Sequence, residues 1–176
     1  MDGLRKLAFV LASSKHGTMI VNRFDVHMIN AQAGYGVGHQ AGAMKIPSPN
    51  YTAHASFGSL ELRQRANNEF IGQAINYTEN TVEVRTLALD DIGAARVDFI
   101  KLDVEGMELE ALQGAEKTVE RSRPVLLIEK IKADAEQLTG WLRDRGYTTK
   151  DAGINILAIH SGDKILADIN PKRAAK

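Results

Sequence analysis

VDFIKLDVEGMELEALQGA, residues 97–115, decides how the chain folds. Its first six residues are rich in β-branched and apolar side chains and stop at Asp103, the pattern of a strand. After Val104, Glu105 and Gly106 the spacing changes, and Met107, Leu109, Leu112, Ala115 and Val119 recur at helical intervals. Pro124 follows the end of that helix. VLLI (125–128) is then a continuous apolar run ending at Glu129, as expected of a strand covered on both faces. A second helix is predicted from about Ala133 to Arg145, with Leu138, Trp141 and Leu142 inward and Gly146 stopping it. NILAIH (155–160) reads as another strand. Strand, helix, strand, helix, strand implies parallel pairing through right-handed crossovers, hence an α/β sheet with helices packed on its faces.

Upstream the pattern is mixed. Leu4, Leu7, Ala8 and Leu11 fall at i, i+3, i+4 and i+7, which predicts an amphipathic helix over Leu4–Ser14; the apolar run is too short for a secretory signal and lacks a cleavage site. VHMINA (26–31) reads as a strand ending at a glycine cluster. Four glycines and two prolines between Gly34 and Asn50 exclude a helix and leave loop or hairpin, with Met44–Ile46 as one short edge strand. FGSLELR (57–63) alternates, placing Leu60 and Leu62 on one face as in a half-buried antiparallel strand, and Thr81–Leu87 repeats that pattern.

Composition narrows the function classes. The 176 residues carry 22 Lys plus Arg against 22 Asp plus Glu, a net charge of +0, 44% apolar residues and no cysteine. A chain of this length buries roughly two-thirds of the surface its unfolded form exposes, so it folds without disulfides or a structural metal. Cysteine nucleophiles and Cys-ligated metals are excluded. A pI near 7.0 gives no basic face for nucleic acid. No stretch approaches the ~20 apolar residues of a membrane span. With no repeat or linker, the expectation is a single domain over residues 1–176 in the cytoplasm, its PKRAAK tail frayed.

Ligands of open parallel sheets sit beyond the carboxyl ends of the strands. Asp103 with Glu105, and Glu129, follow two predicted strands there, so adjacent strands would present carboxylates at one edge; the competing reading is that Asp103 or Glu105 caps the following helix. Glu108 and Glu110, in its first turns, read as solvated. Gly34, Gly36 and Gly38 mimic a nucleotide loop, but the helix such a loop needs is missing. His27, His39 and His54 match no metal-ligand spacing. His160 would point to the edge of Asp103, depending on register. No nucleophile elbow or P-loop is present.

Residues 97–115 resemble the signature of the FkbM-type family of S-adenosylmethionine-dependent methyltransferases, close to vDfiKiDvEGxExxvLxGa. Leu89-Asp90-Asp91, Pro124 to Glu129, and Asn30-Ala31-Gln32-Ala33-Gly34 fit the flanking pattern, and the resemblance spans roughly residues 4–160. It implies a Rossmann-like class I sheet of order 3-2-1-4-5-7-6, in which the strands at Val26, Val97 and Val125 match the third, fourth and fifth. On that match the first two strands, with the main cofactor loop, are lacking, the edge of the fourth strand is exposed, and the chain could associate with itself through it. The resemblance further implies S-adenosylmethionine as cofactor, Asn30, Ala31 and Ala33 near its adenine, and Asp103, Glu105 and Glu129 near the transferred methyl, acting on oxygen of a small-molecule or glycan-like acceptor. The alternative is a non-catalytic, methyltransferase-like remnant serving as an interaction or assembly module. A flavodoxin-like nucleotide binder has no phosphate loop to support it.

Overall fold

Two sheets organise the residues that the computed structural model describes, 7–12, 25–30 and 35–166. In chain order the strands are β1 (Leu7–Ala12), β2 (Asp25–Asn30), β3 (Tyr35–Val37), β4 (Gly42–Pro47), β5 (Thr81–Leu87), β6 (Phe99–Asp103), β7 (Val125–Glu129), β8 (Tyr147–Ala152) and β9 (Asn155–His160). The helices are α1 (Glu108–Gln113), α2 (Glu116–Ser122) and α3 (Ala135–Asp144). The large sheet has the order β2-β1-β6-β7-β9-β8 and the small one β3-β5-β4.

The large sheet is parallel from β2 to β7. Ile100 and Leu102 of β6 and Leu126 and Ile128 of β7 are fully buried, and they form one core with Leu112, Val119, Leu138 and Leu142 of the three helices. The alternate residues Lys101, Asp103, Leu127 and Glu129 are half-buried on the other face. β7 is therefore not equally covered on both sides. Its period of two separates an apolar face from one that ends in acids.

Several expectations are corrected. Leu7–Ala12, predicted within a helix, is a strand lying between β2 and β6, with Ala8 opposite Phe99 and Ala12 opposite Asp103. A six-residue apolar run satisfies helix or strand, and pairing on both sides decides for the strand. The edge of β6 is therefore not exposed, and the expectation of two lacking strands beside it finds no support. Asn155–His160 is a strand but antiparallel to β7, because Tyr147–Ala152, unforeseen, forms a hairpin with it around Gly153 (φ 71°). His160 thus lies at the edge opposite Asp103.

The helix predicted across Met107–Val119 is broken into α1 and α2 at Gly114. There the backbone of Gly38 packs so closely that a Cβ on Gly114 would stand 2.1 Å from the Gly38 carbonyl oxygen. Asp90 supplies the new start, its carboxylate accepting from the Lys117 and Thr118 amides at 2.9 and 2.8 Å and from the Thr118 hydroxyl at 2.7 Å. Phe57–Arg63 is a 3-10 turn, Phe57–Ser59, followed by irregular chain, not a strand. Successive residues Leu60 and Glu61 are both buried, so alternation fails. The Glu61 carboxylate accepts the Glu69 amide at 3.0 Å, folding the segment back on itself. The edge strand at Met44–Ile46 lies within β4, antiparallel to β5. No helix among the described residues is long and apolar enough to cross a membrane.

Candidate active site

Parallel register brings the acids together. Leu102 pairs with Ile128, so the next residues, Asp103 and Glu129, leave neighbouring strands at the same edge and on the same face. Two residues on, Glu105 takes a left-handed backbone (φ 52°) followed by Gly106 (φ 93°), which turns its side chain back toward the strand ends. A non-glycine residue pays roughly 1 kcal/mol or more for that conformation. As a result, one carboxylate oxygen from each of Asp103, Glu105 and Glu129 lies within 4.8 Å of the others.

Like charges this close cannot all ionise freely. The Glu129 carboxyl is pushed up to about 7, first by burial, then by the charges of Asp103 and Glu105 and a hydrogen bond with Asp103. Burial also raises Glu105, against the pull of Lys132. Two lysines compensate: the Lys101 ammonium donates to Asp103 at 2.6 Å and that of Lys132 to Glu105 at 2.8 Å. Oxygen ligands so disposed suit a hard cation of the magnesium or calcium type, although two of the carboxylates already face ammonium groups.

Neither Asp103 nor Glu105 caps α1. The N-cap position, Met107, makes no side-chain cap bond; Glu108 closes the preceding turn instead, its carboxylate accepting the amides of Val104 and Gly106 at 3.2 and 3.1 Å. Glu108, expected to be solvated, is only 1% exposed; one of its oxygens has no partner among the described residues, and burial raises its pKa. Glu110 does reach the surface, paired with Arg63 at 2.6 Å.

Of the expected cofactor residues, Asn30 ends β2 opposite Ala12, which itself faces Asp103 across β1 and β6. It therefore sits at the same carboxyl edge as the acids. Ala31 and Ala33 lie outside the described residues. His39 and His54 are exposed loop residues, remote in type and setting from a ligand cluster. A cavity of about 280 Å³ borders His160, Arg123 and Asp144, at the opposite end of the sheet from the carboxylates.

Sequence reasoning missed Lys132 and Arg65. The Arg65 guanidinium donates to the carbonyls of Gly106 and Lys132, bridging the turns that follow β6 and β7. Only the position of Lys132, three residues past Glu129, hinted at a partner for the acids.

Carboxylates that converge beyond the ends of parallel strands stand where open α/β sheets hold their ligands. The sequence model of the methyltransferase FkbM domain matches residues 18–149, about three-quarters of the chain, and the protein belongs to that family of methyltransferases. The expectation drawn from residues 97–115 is thereby met. A crystal structure of methyltransferase FkbM from Methylobacillus flagellatus KT is similar at 22% identity with a TM-score of 0.45, over 78% of this chain and 28% of that one. The chain thus spans less than a third of that protein's length. No curated protein matches it.

Proposed function

We propose that the chain is the catalytic part of an S-adenosylmethionine-dependent methyltransferase that transfers the methyl group to oxygen of a small-molecule or glycan-like acceptor. The meeting of Asp103 and Glu129 at the carboxyl edge of adjacent parallel strands carries this reading. In a Rossmann-like class I order of 3-2-1-4-5-7-6, the observed β2-β1-β6-β7-β9-β8 corresponds to 2-1-4-5-7-6. β2 then takes the second place rather than the third. Asn30, with Ala31 and Ala33 after it, would follow the strand that commonly borders the cofactor.

The donor set fits such a ligand in placement: Ala12, Asn30 and Asp103 are aligned across three parallel strands at the edge where these sheets bind. When bound, S-adenosylmethionine supplies a sulfonium-activated methyl. The protein's own work is orientation and proton transfer. Asp103, held by the Lys101 ammonium, orients an acceptor hydroxyl. Glu129, which changes charge near neutral pH, accepts its proton as the oxygen–methyl bond forms and the carbon–sulfur bond breaks. Glu105 supplies the negative charge that keeps Glu129 a competent base at that pH.

Calorimetric titration with S-adenosylmethionine and S-adenosylhomocysteine tests the first step, with micromolar binding expected. Transfer of a labelled methyl group by the protein and by Asp103→Ala tests the second. Absence of cofactor binding would leave the non-catalytic, interaction-module reading, and unchanged turnover in Asp103→Ala would remove that residue from the site.

A further inference from the structure

The segment between β4 and β5 is tied by polar groups to the turns that follow β6 and β7, beside its buried Leu60 and Ile71. The Lys132 ammonium has three N–H groups and three acceptors: the Glu105 carboxylate at 2.8 Å, the Ser59 carbonyl at 2.6 Å and the Glu69 carboxylate at 3.2 Å. Its donor capacity is therefore full. One partner belongs to the carboxylate cluster and two to that segment. The side chains of Lys132 and Glu105 are 11% and 9% exposed, whereas Glu69 is 54% exposed. The inner half of the contact is shielded from water, the outer half is not.

Arg65, from the same segment, reaches the Gly106 and Lys132 carbonyls. A Cβ on Gly106 would stand 2.8 Å from that guanidinium and push it aside, and the left-handed backbone (φ 93°) favours glycine there. The two ties converge on Glu105–Gly106 and on Lys132. They grip the turn that aims Glu105 and the chain just beyond Glu129.

We propose that Lys132 is a positioning residue: its ammonium fastens the 59–69 segment to Glu105 and so fixes the Asp103, Glu105 and Glu129 carboxylates from the side facing solvent. The proposal rests on the methyl-transfer reading only for its functional meaning. The contact itself exists whatever the site does. A purely local salt bridge would stabilise one side chain. Lys132 instead joins two parts of the chain 73 residues apart through Ser59 and 27 apart through Glu105.

Burial raises Glu105 first, Lys132 lowers it, and the charges of Asp103 and Glu108 raise it. Around the cluster stand Lys101 on Asp103, Glu129 from β7 and, from the segment between β4 and β5, Glu69 and Arg65 against Lys132, Glu61 near Arg65, and Tyr77, which burial and Glu61 raise and Lys132 lowers. Among these Lys132 alone donates directly to the Glu105 carboxylate. Removing its charge should shift Glu105 upward.

The test is made on the protein without cofactor, so it can be read even if methyl transfer is disproved. Glutamate carboxyl titrations by NMR and amide hydrogen exchange are compared for the unaltered protein, Lys132→Met, Lys132→Arg and the control Lys130→Met, whose target pairs with the exposed Asp151 away from the cluster. Lys132→Met should raise the Glu105 midpoint by about one pH unit or more and speed exchange of amides within 59–69 about tenfold. Lys132→Arg should restore both at least in part, and Lys130→Met should change neither. An unmoved Glu105 midpoint, or unchanged protection of 59–69, overturns the proposal, as does an equal effect of Lys130→Met. Should Lys132→Met fail to fold, the unaltered protein decides. As pH falls through the Glu105 titration, its 59–69 amides, corrected for intrinsic exchange, should lose protection before those of β6 and β7; simultaneous loss overturns the assignment.

Discussion

Glu129→Gln should stabilise the protein at pH 8 while removing methyl transfer. The carboxyl holds its proton to about 7 in the folded chain, against an ordinary value of 4.5 that the unfolded chain restores. Between those values the folded state binds more protons than the unfolded one, so the contribution of Glu129 to stability falls as pH rises through the window. Below pH 4.5 the group is protonated in both states and contributes no difference. Taken in full, a gap of that size corresponds to about 3 kcal/mol at 1.36 kcal/mol per pH unit. Glu129 is half-buried, and solvent screening reduces the effect to about 1–2 kcal/mol. Glutamine has the shape of the protonated acid and never charges, so Glu129→Gln should gain that amount at pH 8. In a protein of this size the gain corresponds to an increase in Tm of about 2–8 °C. Urea unfolding of both proteins at pH 4.5, 6, 7 and 8 measures it. The curves should coincide at pH 4.5 and separate progressively above pH 6, with unchanged denaturant slopes. An offset that does not vary with pH, or a less stable variant at pH 8, would refute the claim that burial and the neighbouring acids hold the Glu129 proton up to about 7.

Three further substitutions examine the frame around the site. Leu112→Ala, at a side chain with no exposure, should cost about 2–5 kcal/mol in denaturant unfolding; less than about 0.5 kcal/mol would mean the core does not close over α1. Asp90→Ala removes the acceptor for two amides and a hydroxyl at the start of α2 and should cost about 1–2 kcal/mol, and a negligible loss would show that the helix start finds another cap. Gly114→Ala sets two effects against each other: the backbone there (φ −73°, ψ −6°) suits alanine, which has less freedom to lose on folding and gains about 0.4–1 kcal/mol, but its methyl meets the Gly38 carbonyl oxygen. Since backbone must move, a net loss of about 1–3 kcal/mol is expected, and a rise in Tm would show that the Gly38 loop yields freely.

The parts of the fold that were legible in the sequence are those where one physical signal dominated. FIKLD and VLLIE are β-rich runs ended by acids, and Asp134 caps α3 through the Glu136 and Gln137 amides just where the apolar spacing begins. The failures have local causes. LAFVLA is apolar throughout, so its neighbours in the sheet and not its periodicity choose the strand. YTTKDA offers only Tyr147 to the core, and its pairing with β9 supplies what the residue pattern lacks; the two-residue turn at Gly153-Ile154 was the signal that could have revealed the hairpin. That Asp103 and Glu129 end neighbouring strands was legible because strand ends are predictable. Lys132 and Arg65 were not, because their partners come from chain positions that only the tertiary fold brings near.

The acids at the sheet edge also argue against a merely structural explanation of that cluster. None of these acids caps α1, which has no side-chain cap, and Glu108 alone closes the preceding turn through the Val104 and Gly106 amides. What remains is unfavourable by itself: Glu105 in a left-handed conformation, a buried Glu108 oxygen without a partner among the described residues, and Glu129 forced to share space with two other carboxylates. Glycine at 105 would relieve the backbone cost and glutamine at 129 the charge crowding, without opening the apolar core, which lies on the opposite face of β6 and β7. A fold that keeps local conflicts where chemistry would occur, and resolves them elsewhere, is behaving as functional sites do. If stability alone governed the edge, Glu129→Gln would leave stability at pH 8 unchanged or lower; the functional reading requires that variant to be more stable than the parent and inactive, whereas Glu105→Gln, which takes the buried partner from the Lys132 ammonium, loses stability.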